Sequence, residues 1–255
     1  MRPPHCASGS PPLWSRRFAN RSAGLVVLDL VICEAGDWLR ATSRRLELPA
    51  TARIAQRSRD ILDAVDVGSP VPEALARASV LDAAGDGHAL GEAWAAADAI
   101  VIFVRHFACA GCSDHLAELR PRLAELATLA TGVVIVGSGT VEQLAAFVAA
   151  QQLAGHPVEV VTDPTLAAYR AAGLERSRLG TLGPRALANL GLLALRGHTS
   201  GRACGDLYQQ GGTLYVRRGG ELAFVHRSTR IGDHAPVAQV VALALAARAD
   251  EAGVA

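Results

Sequence analysis

Apolar positions change period several times along this chain, and each change predicts an element. Ala99 to Phe107, AIVIFVRHF, is a nearly unbroken apolar run, as expected of a strand buried between two helical layers. From Ala110 to Leu129 the spacing becomes helical: Leu116, Leu119, Leu123, Leu126 and Leu129 recur at three and four residues, and Pro121 inside the pattern should bend the helix. Val133 to Val136 predicts the next buried strand. Thr140 and Gln143 have capping-box spacing and open a helix to about Leu153. Val158 to Val161 predicts a third strand, followed by a helix that starts at Asp163-Pro164 and stops at Gly173.

Farther on, Pro184 to Leu195 predicts a helix. Thr213 to Arg217 and Glu221 to His226 predict a hairpin around Arg218-Gly219-Gly220, and Ala235 to Arg248 a last helix. Upstream, Ala78 to Asp82 predicts a short strand, Gly85-Asp86-Gly87 a turn and Leu90 to Ala97 a short helix. The implied fold class is α/β, a three-layer sandwich with helices on both faces of a central mixed sheet.

Residues 1–66 read differently. MRPPHCASGSPPLWSRR has no periodicity, and only Thr51 to Val65 has near-helical spacing, so this part is expected to be an extension, partly disordered and partly helical. The Gly and prolines of VGSPVP, Val67 to Pro72, mark a boundary. The compact domain is then 67–255, with an insertion at about 174–204.

Composition narrows the function classes. The 255 residues are 50% hydrophobic and carry a net charge of +1, so no nucleic-acid partner is expected. All 25 basic residues are arginine, a bias that codon composition in a GC-rich genome accounts for. Leu25 to Ile32, the longest early apolar run, contains Asp29 and is far too short to span a bilayer, so no membrane partner is expected. Arg16, Arg17 and Arg21 ahead of it imitate a signal peptide without its cleavage pattern. Five cysteines, two of them closely spaced, make no disulfide framework, and the expected location is cytoplasmic.

Those two cysteines carry the candidate chemistry. Cys109-Ala-Gly-Cys112 opens the helical pattern directly after the buried strand, where free backbone N–H groups and the helix dipole favour a thiolate. Cys109 is the candidate nucleophile and Cys112 the resolving thiol. Two other readings of the pair are an inert buried packing role and half of a zinc site completed by two of His115, His226 and His234. Arg105 and His106 are placed to supply positive charge or a proton near Cys109. Gln210, Gly211, Gly212 and Thr213, preceded by Gln209, read as a substrate-positioning loop with exposed backbone donors, or as a turn that needs glycine to enter the hairpin. His226, Asp233 and His234 form a polar cluster, or Asp233 caps the last helix. His115, three residues past Cys112, reads as sharing its helix face or as a surface residue, Cys204 as a second resolving thiol or a bystander, and Cys6 and Cys33 have no assigned role.

Three blocks carry a resemblance: FVRHFACAGC at Phe103 to Cys112, GDLYQQGGTLYV at Gly205 to Val216, and FVHRSTRIGDH at Phe224 to His234. Together they resemble the peroxiredoxin-like 2 branch of the alkyl hydroperoxide reductase and thiol-specific antioxidant superfamily, over about Val67 to Ala247. The resemblance implies a thioredoxin-like fold and an antioxidant thiol oxidoreductase that reduces a peroxide or disulfide-type substrate through a dithiol/disulfide cycle. It implies no organic or metal cofactor. It does imply a thiol reductant, either a thioredoxin-like protein or a small thiol, and it allows a homodimer. One departure concerns the site: peroxiredoxins place a Thr three residues before the peroxidatic cysteine, where this chain has His106.

Overall fold

The computed structural model describes residues 67–198, 200–201 and 205–254, with the side chains of 251–254 outside the description. The expected helix at Thr51 to Val65, and Cys6, Cys33 and Cys204, lie outside the described residues.

A helical turn, α1 (Glu73–Ala76), precedes the hairpin of β1 (Ser79–Leu81) and β2 (Gly87–Ala89), and a 3-10 turn (Leu90–Trp94) leads into β3 (Asp98–Phe103). Then follow α2 (Ala110–Leu119), a 3-10 turn (Arg120–Arg122), α3 (Leu123–Thr128), β4 (Thr131–Gly137), α4 (Val141–Ala150) and β5 (Glu159–Thr162). The remainder is α5 (Ala167–Ala171), α6 (Arg178–Leu182), α7 (Pro184–Leu195), the hairpin of β6 (Gly212–Arg217) and β7 (Glu221–Arg227), and α8 (Val237–Val254). The seven strands lie in the order β2-β1-β5-β4-β3-β6-β7. β3, β4 and β5 are parallel, and β1, β6 and β7 pair antiparallel to their neighbours.

Period-two alternation splits the apolar run of β3 between two cores. Ile100, Ile102 and Val104 face one side, with Val133 and Ile135 of β4, and pack against Leu116, Leu119, Leu123 and the α8 residues Val240, Val241 and Ala244. Ala99, Val101 and Phe103 face the other side, with Val134 and Val136, and pack against Leu75, Trp94 and Tyr169. Both faces are therefore covered, and β3 can be apolar without alternation.

Several local expectations are corrected. The single helix over 110–129 is broken at Pro121, whose missing N–H is accommodated in the 3-10 turn between α2 and α3. Asp163 does not cap directly. Its carboxylate accepts the N–H groups of Thr165 and Ala168, Leu166 takes a left-handed φ of 60°, and α5 starts only at Ala167. The segment after Leu90 is a 3-10 turn rather than an α-helix, and β2 and α6 were not foreseen. The Thr140–Gln143 capping box is present as expected.

Tyr169 ties this frame together at the carboxyl ends of β3 and β4. Its ring stands edge-on to Phe103 at 5.0 Å, and its hydroxyl lies 2.6 Å from the Val104 carbonyl and 2.9 Å from that of Val136. Tyr169→Phe removes the donor from two buried acceptors and is expected to cost about 1–3 kcal/mol of stability. Urea denaturation checks this, and an unchanged midpoint would show that the hydroxyl contributes nothing.

Candidate active site

The chain leaves β3 at Phe103, and the next six residues build the site. Val104 N–H still donates to Val136 (2.9 Å), as a last rung of the ladder. Arg105 then turns away: its N–H points at Cys112 Sγ (3.3 Å), and its carbonyl accepts from the Ser138 hydroxyl (3.2 Å). Phe107 anchors the loop by filling the space above Gly137 and Gly139, where any Cβ would overlap its ring, and it packs on Phe147 at 4.7 Å. Cys109 is the N-cap of α2, with extended backbone (φ −81°, ψ 120°), and its carbonyl accepts the first helical bond from Ser113 (3.0 Å). Both thiols are free and buried.

Arg105 is the electrostatic centre. Its side chain is fully buried, and its hydrogen bonds go to the Gln209 carbonyl (3.2 Å), the Leu207 carbonyl (2.9 Å), the Thr181 hydroxyl (2.5 Å) and Cys109 Sγ (3.7 Å). Three of those partners are neutral oxygens, so the cation's field is left to act on the sulphur. The Cys112 S–H donates to Cys109, and that bond, then the Arg105 charge, outweigh burial and bring Cys109 down to about 6. The same bond and burial hold Cys112 well above the ordinary thiol value. At neutral pH the pair is a thiolate at Cys109 beside a thiol at Cys112.

Arg105→Gln is expected to move the Cys109 titration midpoint up by at least about one unit while changing the rate at neutral pH only a few-fold, because a more basic thiolate is also more nucleophilic. Iodoacetamide alkylation as a function of pH reads the midpoint. An unmoved midpoint would remove Arg105 from the account.

Other expectations change. His106 is buried, and its Nδ1 accepts the Ala108 N–H (3.3 Å), which leaves Nε2 to carry the ring proton. Burial and the Arg105 charge lower it to about 4, so it supplies neither positive charge nor an acidic proton at neutral pH. The segment Gln210 to Thr213 is buried, which corrects the expectation of exposed backbone donors. Gln210 N–H is taken by Glu175 O, and Gly212 and Thr213 pair with Phe103 and Ile102. Gly211 is needed because a Cβ there would strike the Phe103 carbonyl. Gln210 reaches the site only through Thr181, to whose hydroxyl its Nε2 donates (3.3 Å).

His115 is buried rather than on the surface, edge-on to His234 with ring centres 4.8 Å apart. Asp233 does not cap the last helix. It accepts from Thr229 N–H and hydroxyl, both at 2.7 Å, and lies 3.4 Å from His226 Nε2. Among the described residues no three His, Cys, Asp or Glu side chains converge as a metal site, so the zinc set of Cys109, Cys112 and two of these histidines is not assembled. Residues that sequence reading missed are Thr181 and Ser138, together with the carbonyls of Leu207 and Gln209.

Fold and site together define a thioredoxin-fold protein with a thiol pair at the carboxyl end of a central strand. The AhpC/TSA antioxidant enzyme family matches residues 116–230. Human peroxiredoxin-like 2C is 30% identical over 189 residues, which is 70% of this chain and 82% of that protein. A chloroplastic thioredoxin-like protein of Arabidopsis thaliana is 24% identical over 184 residues, 69% of this chain and 73% of its own length. Among solved structures, the Xanthomonas campestris bacterioferritin comigratory protein, whose alkyl peroxide reduction was the subject of that work, superposes with a TM-score of 0.52 at 16% identity, over 72% of this chain and 99% of that one. The chain belongs to the peroxiredoxin-like family of AhpC/TSA type.

Proposed function

We propose that the protein is a thiol peroxidase that cycles between the Cys109/Cys112 dithiol and their disulfide. The observation that carries the reading is the pairing of a buried guanidinium, otherwise bound to neutral oxygens, with Cys109 Sγ, beside a thiol held protonated. The Cys109 thiolate attacks one peroxide oxygen, the O–O bond breaks, and the alkoxide takes up a proton and leaves as alcohol or water. The product is a sulfenic acid at Cys109. Cys112 gives up its proton, its sulphur attacks that of Cys109, and the hydroxyl departs as water, leaving the disulfide. A thiol reductant, a thioredoxin-like protein or a small thiol, returns two electrons and two protons. The need to keep both thiols reduced at rest suits a cytoplasmic location.

Access has to be created for this cycle. Cys109 is 1% exposed, and residues 200–201 lie against the thiol turn, with Gly201 N–H donating to the Ala108 carbonyl and the Ser200 hydroxyl accepting from Ala110. Intact mass with thiol alkylation, before and after one equivalent of hydrogen peroxide, tests the reading. The expected result is loss of two alkylatable thiols, mapped to Cys109 and Cys112 and restored by a dithiol. Thiols that stay unchanged in excess peroxide would refute it.

A further inference from the structure

From Arg176 to His198 the chain carries no Asp or Glu, and its fixed charges are Arg176, Arg178, Arg185 and Arg196. This stretch contains α6 and α7, and it presents leucines to solvent: Leu179 is 75% exposed, Leu182 56%, Leu187 55%, Leu192 58% and Leu195 86%. The inner side of α7 is already occupied, since Leu190 and Leu193 pack on Ala110 and Ile231. At 100° per residue the outer side is Leu187, Ala188, Gly191, Leu192 and Leu195, with Arg185 at its edge. Among the described residues that side is open, because a Cβ built on Gly191 would meet nothing within 4 Å. The outer half of α7 therefore carries leucines that are not in the core.

We propose that the outer face of α6 and α7 docks on an anionic lipid surface. Helices of five and twelve residues are about 8 and 18 Å long, so their outer faces together cover a few hundred Å2, short of the roughly 800 Å2 per partner of a stable dimer. A two-fold contact between copies would also bring arginines of the same face toward each other with no carboxylate from this stretch between them. On the exposed side of α6 and α7 a protein partner would find Arg178 and Arg185 as hydrogen-bonding side chains among leucines, alanines and glycine, whereas protein interfaces carry about one hydrogen bond per 100–200 Å2. An anionic bilayer meets each feature: leucines enter the boundary between headgroups and acyl chains, and arginines pair with phosphates. The expectation of no membrane partner rested on the lack of a spanning segment, and a helix lying in the interface plane needs none. Arg176 and Arg196 are held by Asp206 (2.7 Å) and Asp114 (3.2 Å), whereas Arg178 lies over the Tyr208 ring at 5.6 Å with no carboxylate against it among the described residues, so Arg178 and Arg185 carry the electrostatic part. Because Leu193 packs on Ala110, beside Cys109, the contact holds the thiol turn close to the bilayer. The docking itself does not depend on peroxide chemistry.

The test is flotation of the full chain with phosphatidylcholine vesicles, with and without phosphatidylglycerol, alongside sedimentation of the protein alone. The wild type is expected to float with the anionic vesicles and to bind phosphatidylcholine alone at least roughly tenfold more weakly, from about 1 kcal/mol per arginine at the surface. Leu187→Glu with Leu195→Glu should lose flotation, and Arg185→Glu should weaken it, with circular dichroism and the Cys109 alkylation rate in solution unchanged as evidence of an intact fold. Absence of flotation overturns the proposal. So does flotation that survives the double leucine variant, which would place the contact elsewhere in the chain. A dimer that the same variant dissociates, without lipid binding, would assign the face to a second copy instead.

Discussion

Cys109→Ser is expected to lower peroxide-dependent turnover by on the order of 10³-fold or more, because a hydroxyl at this position stays protonated where the thiol is ionised. Cys112→Ser should fail differently. Cys109 would still be oxidised once, but the sulfenic acid would persist and could be trapped by dimedone, because no neighbouring thiol closes the disulfide. Cys112→Ala should add a second effect. The hydrogen bond from Cys112 is the largest influence lowering Cys109, so its loss should raise the midpoint of the alkylation profile above about 6. Rate therefore rises with pH through a higher window in this variant, while in the wild type it is already near its plateau at neutral pH. Turnover retained by Cys109→Ser would assign the nucleophile to another thiol. A Cys112→Ala profile identical to wild type would show that the two sulphurs do not communicate.

The asymmetry of the pair was only half legible in the sequence. Strand, Cys-x-x-Cys and helix are adjacent in the chain, so local periodicity locates the thiols at a helix N-terminus and orders them. What sets their titration is not local. Thr181 and Gln209 lie 76 and 104 residues beyond Arg105, and no pattern in FVRHFACAGC points to them. Thr181 sits on α6, which at five residues is too short to give a period. Three residues before Cys109 the loop carries His106, and the hydroxyl that contacts the arginine comes from Thr181. The stretch that reads from the sequence as an insertion thus supplies a residue to the site.

Longer elements were legible for the converse reason. α7 runs over Pro184–Leu195 as its flanking glycines and first-turn proline predict, and α4 begins at its capping box. Gly211 and Gly212 read either as part of a substrate-positioning loop or as a turn that needs glycine to enter the hairpin, and the packing accords with the second: a Cβ at these positions would strike the Phe103 and His226 carbonyls. His115 shows the same limit. Its spacing from Cys112 places it on a buried helix face, but its polarity argues for solvent, and only the tertiary contact with His234 resolves the conflict.

That burial has a thermodynamic consequence: the protein is expected to lose stability steeply on mild acidification, before its carboxylates titrate. Burial lowers His115 to about 3, with the neighbouring His234 adding to the effect, and it lowers His106 and His234 to about 4. In each case the folded value lies below the unfolded value of 6.5. As pH falls through about 6.5 the unfolded chain takes up protons that the folded chain refuses, so stability is full above that pH and declines until the folded values are reached. Each histidine contributes about 1.4 kcal/mol per pH unit in that window. Three of them remove on the order of 6 kcal/mol between pH 7 and 5, comparable to the whole stability of an ordinary domain. Asp233 acts in a different window. Its carboxyl is held well below the usual range by the His226 contact and by Thr229, so its contribution is present above the unfolded carboxylate value and is lost only at lower pH. Urea midpoints measured from pH 7.5 to 5 should therefore fall continuously, and His115→Phe, which keeps an aromatic ring edge-on to His234, should reduce the slope by about one proton equivalent. Midpoints that stay level across the range would mean that these rings are protonated or solvated in the folded state, and the buried histidine pair would not be the acid-sensitive element of the fold.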